Sequence, residues 1–111
     1  MLIADIYRFK DSLYDYMRTT SKEKQAEDAK KETAWRQKYA KNGKWKANYS
    51  FANGRGGIAI WDFESGEEMY RILSEAVAWP YLDSEIIPLQ SESISSALKE
   101  PAKAERKAAK K

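Results

Sequence analysis

From Lys44 to Leu89 the chain spells strand, tight turn, strand, capped helix, strand, and that order leaves few folds open. Lys44 to Phe51 alternates, with Trp45, Ala47, Tyr49 and Phe51 on one face and Lys46, Asn48 and Ser50 on the other. Asn53-Gly54-Arg55-Gly56-Gly57 supplies the turn residues of a hairpin. Ile58 to Phe63 is the returning strand, with Ile58, Ile60 and Asp62 opposite Ala59, Trp61 and Phe63. Ser65 and Glu68 form a capping box, the serine capping a first-turn amide while the glutamate reaches back. Met69, Ile72, Leu73 and Ala76 then make the buried stripe of a helix. Pro80 lies just past its end, and Leu82 to Leu89 is the last strand, where Pro88 suits an edge or terminus.

The first half completes the unit. Leu2 to Phe9 reads as a strand, with Leu2, Ala4 and Ile6 on one face and Ile3, Asp5, Tyr7 and Phe9 on the other. An acid among three large apolar residues is its odd member. Lys10 to about Asn42 is helical, with a plausible break at Thr19-Thr20 and Ser21 as N-cap of the second piece. Apolar positions in that second piece are sparse: Ala26, Ala29, Trp35, Tyr39 and Ala40. Asn42-Gly43 is a helix stop, since glycine takes the left-handed conformation without a Cβ penalty. The sum is βαββαβ. We expect an α+β, ferredoxin-like domain over residues 1–90, an antiparallel four-stranded sheet with helices on one face. The other face is also apolar, and a second subunit is the simplest cover for it.

Composition removes whole classes of chemistry. The 111 residues include no Cys and no His. Thiol catalysis, thiolate metal sites and Ser-His triads are therefore excluded, and acid–base work falls to Asp, Glu, Lys or Tyr. We expect no metal and no cofactor. No run approaches the roughly 20 apolar residues that cross a bilayer, and Asp5 comes too early for a secretory leader; a cytoplasmic protein is expected. The net charge of +3 is concentrated at one end, because residues 99–111 hold six basic and two acidic groups. Residues 91–111 read as an extended or mobile basic tail. That tail lacks aromatic interleaving, and Gly57 to Phe63 lacks the basic residues of an RNA-binding strand, so nucleic acid is not the expected partner.

The words of residues 30–90 resemble the muconolactone isomerase family, small proteins of the dimeric α+β barrel group. Members carry a Gly-X-Trp-Arg-His-Leu-Trp-Arg strand after the first helix. They follow it with a glycine-containing turn, a Ser-Val-Phe-Asp-Val strand, a helix, and Leu-Phe-Pro-Tyr-Met-Asp before the last strand. Gly43, Trp45, Asp62, Ser65, Pro80, Tyr81 and Asp83 match in register, as does Glu32 in the helical region. The resemblance implies a ferredoxin-like protomer, a homodimer with sheets face to face, and a higher even-numbered assembly as an option. Among the departures, Lys46 and Ser50 stand where the family has arginine, Ala47 where it has histidine, and Ala76-Val77-Ala78-Trp79 where it has Leu-Pro-Leu-Phe before the Pro-Tyr corner.

Candidate site residues follow from residue type and resemblance together. Glu32 is the first choice for a catalytic acid or base, because a carboxylate facing an aromatic pocket is desolvated and gains proton affinity; the bland reading is a solvated helix glutamate. Asp5 is a second pocket acid if its strand face lines the cavity, with Tyr7 as a hydrogen-bond donor. Lys46 could stabilise an enolate as a point charge, or could be an exposed strand lysine. Trp45, Tyr49, Trp61, Trp79 and Tyr81 read first as core or dimer-interface aromatics, and Trp45, Tyr49, Trp79 and Tyr81 are also the candidate pocket walls. The Gly-Arg-Gly-Gly run fits no phosphate-binding pattern and reads as the turn. The expected function is a cofactor-independent isomerase or cyclase. It would move a proton next to a carbonyl of a lactone or polyketide-like small molecule. The alternatives are a non-catalytic binding or assembly module on the same fold, and a cofactor-free oxygenase.

Overall fold

The computed structural model describes residues 1–90; the basic tail expected at 91–111 lies outside the described residues. The elements run β1 (Leu2–Phe9), α1 (Asp11–Thr19), α2 (Lys22–Lys41), β2 (Trp45–Ser50), β3 (Gly56–Asp62), α3 (Gly66–Ser74), a single 3-10 turn (Trp79–Tyr81) and β4 (Leu82–Pro88). The four strands form one sheet in the order β2-β3-β1-β4, every neighbouring pair antiparallel. This is the ferredoxin-like α+β arrangement that the element order predicts.

Local chemistry sets the boundaries. The helical region breaks at Thr20, and the Ser21 hydroxyl accepts the Lys24 N–H to start α2. Asn42 caps the other end, and Gly43 turns the chain at φ +81°, a left-handed conformation that side chains disfavour. At α3 the Ser65 hydroxyl accepts the Glu68 N–H, while Glu68 Oε1 reaches back to accept the Glu64 N–H. Glu68 also pairs with Lys44 at 2.7 Å, and both its partners hold its carboxyl below the usual range, Lys44 first.

β1 and β3 keep the predicted alternation. Ile3, Asp5 and Tyr7 face the helices opposite Trp61, Ala59 and Gly57, and Leu2, Ala4 and Ile6 face away. β2 does not. A bulge separates Trp45, paired with Trp61, from Ala47, paired with Ile60, and Lys46 is the extra residue. The strict alternation expected for this strand is therefore broken after its first residue. Trp45 shares the helix side with Asn48 and Ser50, while Tyr49 turns outward and is 68 % exposed. Another difference is that β3 begins at Gly56, so two turn glycines belong to the strand.

The core lies between sheet and helices: Ile3, Tyr39, Ala59, Trp61, Phe63, Ile72 and Leu73, with Trp35, Trp45 and Trp79 packed against it. Trp61 is central. Its ring meets Trp35, Tyr39, Trp45 and Phe63 at centroid distances of 5.3, 6.2, 6.0 and 5.2 Å. Helix α1 buries no residue fully and is tied down by polar contacts. Its Tyr16 hydroxyl donates to Asp28 Oδ2 at 2.5 Å, and Tyr16 packs on Tyr81. Among the described residues no helix is long and apolar enough to cross a membrane.

Candidate active site

Between the helix-facing side of the sheet and α2, α3 and the 3-10 turn lies a cavity of about 170 Å³. β1 supplies Asp5 and Tyr7, β2 supplies Trp45 and Asn48, and β3 supplies Ala59 and Trp61. Helix α2 adds Glu32, Trp35 and Arg36, and the segment after α3 adds Ala78 and Trp79. Gly57 keeps one side open to a ring: a Cβ there would lie 2.5 Å from the Tyr7 hydroxyl and 2.5 Å from the Tyr49 carbonyl oxygen. The Tyr7 phenol crosses this gap and donates to Asn48 Oδ1 at 2.8 Å.

Asp5 carries the strongest chemical signal. It is 5 % exposed, and its Oδ1 has no hydrogen-bond partner. Burial pushes its carboxyl pKa up, and a hydrogen bond from Ser84 pulls weakly the other way. A carboxyl in such a setting binds a proton more readily than one in water, which is what general acid–base work near neutral pH asks for. The indole N–H groups of Trp45 and Trp61 are likewise buried without partners.

Glu32 also borders the cavity, and its position is held by main chain. Its Oε2 accepts the N–H of Val77 at 2.9 Å and of Ala78 at 3.4 Å. It therefore pins the stretch between α3 and the 3-10 turn. Two more side chains of α2 reach the same neighbour: Trp35 Nε1 donates to the Ile72 carbonyl at 3.0 Å, and the Tyr39 hydroxyl donates to Glu75 Oε2 at 2.6 Å.

The structure brings together Asp5, Tyr7, Glu32, Trp45 and Trp79 and leaves three expected residues elsewhere. Lys46, extruded by the bulge, lies beside Met1, Asn42 and Asp62 at one end of the sheet. Tyr49 faces outward. Tyr81 lines a shallow groove with Leu13, Tyr16 and Val77, on the far side of Glu32. Asn48, Trp35 and Arg36 line the cavity without having been singled out. No sequence signal marks Asn48, because an unbroken alternation hides the bulge that turns it inward. Among the described residues no three acidic side chains are grouped closely enough to hold a metal ion.

A ferredoxin-like sheet carrying an aromatic cavity with a buried carboxylate under its helices defines a small α+β protein. The chain belongs to the muconolactone delta-isomerase family, whose model matches residues 13–93. It is 36 % identical over 59 residues to the muconolactone delta-isomerase of Rhodococcus opacus, a match covering 53 % of this chain and 63 % of that relative. The match thus spans less than two thirds of the relative's length. A crystal structure of muconolactone isomerase superposes with a TM-score of 0.68 at 21 % identity, covering 85 % of this chain and 95 % of the other. That likeness is one of fold.

Two stability measurements check this geometry. Folded Asp5 binds its proton more tightly than unfolded Asp5, so it destabilises the fold as pH rises above the unfolded value of about 3.9. Asp5→Asn is expected to raise the melting temperature at pH 8, with the gain shrinking as pH falls and vanishing by about pH 3, where both states are protonated. A gain independent of pH would contradict a strained Asp5 charge. For Glu32→Ala, loss of the acceptor for two main-chain N–H groups is expected to cost about 1–3 kcal/mol in urea unfolding. Amide exchange at Val77 and Ala78 should quicken, and Glu32→Gln should recover part of the loss.

Proposed function

We propose that this chain is an isomerase or cyclase that moves a proton next to a carbonyl, without a cofactor, on a lactone or polyketide-like small molecule. One observation carries the reading: Asp5 is buried in an open aromatic cavity with a carboxylate oxygen left unpartnered. In its ionised form it takes a proton from the carbon beside the carbonyl, and in its protonated form it returns that proton to another carbon. The negative charge moves to the carbonyl oxygen as the enolate forms. The Tyr7 hydroxyl donates its one proton to Asn48 Oδ1 and serves the enolate by exchanging that partner for it. Glu32 acts as a positioning residue through the main chain of Val77 and Ala78. Trp79 shapes the wall, and Lys46 takes no part.

The remaining space separates this reading from a non-catalytic assembly module on the same fold. A cleft filled by Trp45 or Trp79 would favour the module; the cleft here stays open with Asp5 in its wall.

The test is isotope exchange in D2O, followed by proton NMR on a panel of butenolides and cyclic β-keto esters. The full chain should exchange the protons beside the carbonyl faster than buffer, and Asp5→Asn should slow this by about 10²–10⁴-fold. Exchange no faster than buffer across the panel would overturn the proposal.

The reading includes a homodimer or larger even-numbered assembly with sheets face to face. The outward sheet face supports it: Leu2, Ile6, Ile58, Ile60 and the exposed Tyr49 and Ile87 leave an apolar surface uncovered. Native mass spectrometry should give an even number of chains, and Ile60→Lys should shift the protein toward a monomer. A wild-type monomer at micromolar concentration would refute this arrangement.

A further inference from the structure

The polar groups of the cavity wall differ in what can reach them. Asp5 is buried, whereas Asn48, Ser50 and Arg36 line the same cavity and are exposed, so they stand at its mouth. The Glu32 carboxylate is taken up by the main chain of Val77 and Ala78. Asn48 reaches the mouth because of the bulge at Lys46, the device by which a strand re-aims a side chain. Its amide has two ends. The Oδ1 end accepts the Tyr7 hydroxyl at 2.8 Å in an exposed hydrogen bond, and among the described residues the Nδ2 end donates to nothing. The Tyr7 phenol is fixed in its turn, because it occupies the space that a Cβ at Gly57 would need. A hydroxyl that holds the oxygen end leaves the N–H end turned toward a ligand. Arg36 is a long exposed side chain that must be ordered at an entropic cost before it binds anything, so Asn48 is the donor held ready. The cavity, at about 170 Å³, is close to the roughly 150 Å³ engineered cavity that takes up benzene, so one ring is the size that fits.

We infer that the Asn48 amide N–H is the donor that holds the carbonyl oxygen of a single-ring substrate at the mouth of the cavity and takes up its charge as the enolate forms. The inference rests on the proton transfer proposed above. The base removes a proton from the carbon beside the carbonyl, the C–H electron pair becomes a C=C bond, and the carbonyl pair moves onto oxygen. The Asn48 N–H bonds to that oxygen throughout and keeps its own proton. Its bond is stronger to the enolate than to the neutral carbonyl, which is the difference that speeds a reaction. Tyr7 lies one hydrogen bond from the same amide, so when it gives up Oδ1 for the enolate two donors meet one oxygen.

The carbonyl itself reports the bond. The probe is cyclopentenone labelled with carbon-13 at the carbonyl, bound to the full chain. Its affinity is read from the quenching of tryptophan fluorescence and its C=O stretch from infrared difference spectra. Asn48→Leu is close in shape and lacks the donor. It should shift the bound stretch to higher frequency than in the wild type and weaken binding by about 3–10-fold, the margin of one hydrogen bond. Isotope exchange at saturating ligand should slow far more, by about 10²–10³-fold. Asn48→Asp keeps an acceptor for Tyr7 and replaces the donor with a charge. It should lose the shift and the exchange as Asn48→Leu does, which separates the N–H from a mere prop for Tyr7. A stretch unchanged in both variants, or no binding of the enone to the wild type, would overturn the inference. A shift lost in both variants, with no wild-type exchange on any carbonyl compound, would keep Asn48 as the carbonyl donor and remove the proton-transfer reading. Exchange that both variants hold within about 3-fold of the wild type would leave the proton transfer standing and remove Asn48 from it.

Discussion

Helix α2 is held by one stripe of side chains, and the cavity depends on it. Asp28, Glu32, Trp35 and Tyr39 follow each other at four-, three- and four-residue intervals, which places them on one face. Each ends in a polar atom that meets a different partner: Tyr16 and Lys24 for Asp28, the main chain of Val77 and Ala78 for Glu32, the Ile72 carbonyl for Trp35, and Glu75 for Tyr39. An apolar seam tolerates sliding, because dispersion contacts are non-directional. A seam of hydrogen bonds fixes both the height and the rotation of the helix. The gap between α2 and the sheet is thereby set, and that gap is the cavity.

The same stripe explains what sequence reading sees and misses. The strands, their order, the helix break before Ser21 and the capping box at Ser65 are all local patterns, and each is legible. Periodicity of apolar residues is a poor guide to α2, because its docking face contains two carboxylates; counting Ala26, Ala29 and Ala40 as apolar positions points elsewhere. Glu32 was legible as a pocket-side glutamate, whereas its bond to the main chain of a segment 45 residues away was not. Asp5 was visible as an acid among apolar neighbours, and the depth of its burial required the helices to be in place.

The bulge at Lys46 is the sharpest divergence. A period of two is broken by one extra residue, and everything after it changes face. Asn48 arrives inside to hold the Tyr7 hydroxyl, while Tyr49 leaves for the outer surface. Nothing in the order of the residues announces it. The cause is tertiary: Trp45 stacks on Trp61 at one end of the strand pair, and Gly57 gives the Tyr7 ring its passage at the other.

The first strand of the chain is an inner strand of the sheet, flanked by β3 and by β4, which closes the fold as far as Pro88. Ile3 pairs with Trp61 on one side and with Pro88 on the other. Asp5 therefore cannot be sealed from water until nearly the whole domain has emerged from the ribosome. Nascent chains halted before residue 82 would display an unfinished sheet edge, and in the cell they depend on chaperones or on rapid completion.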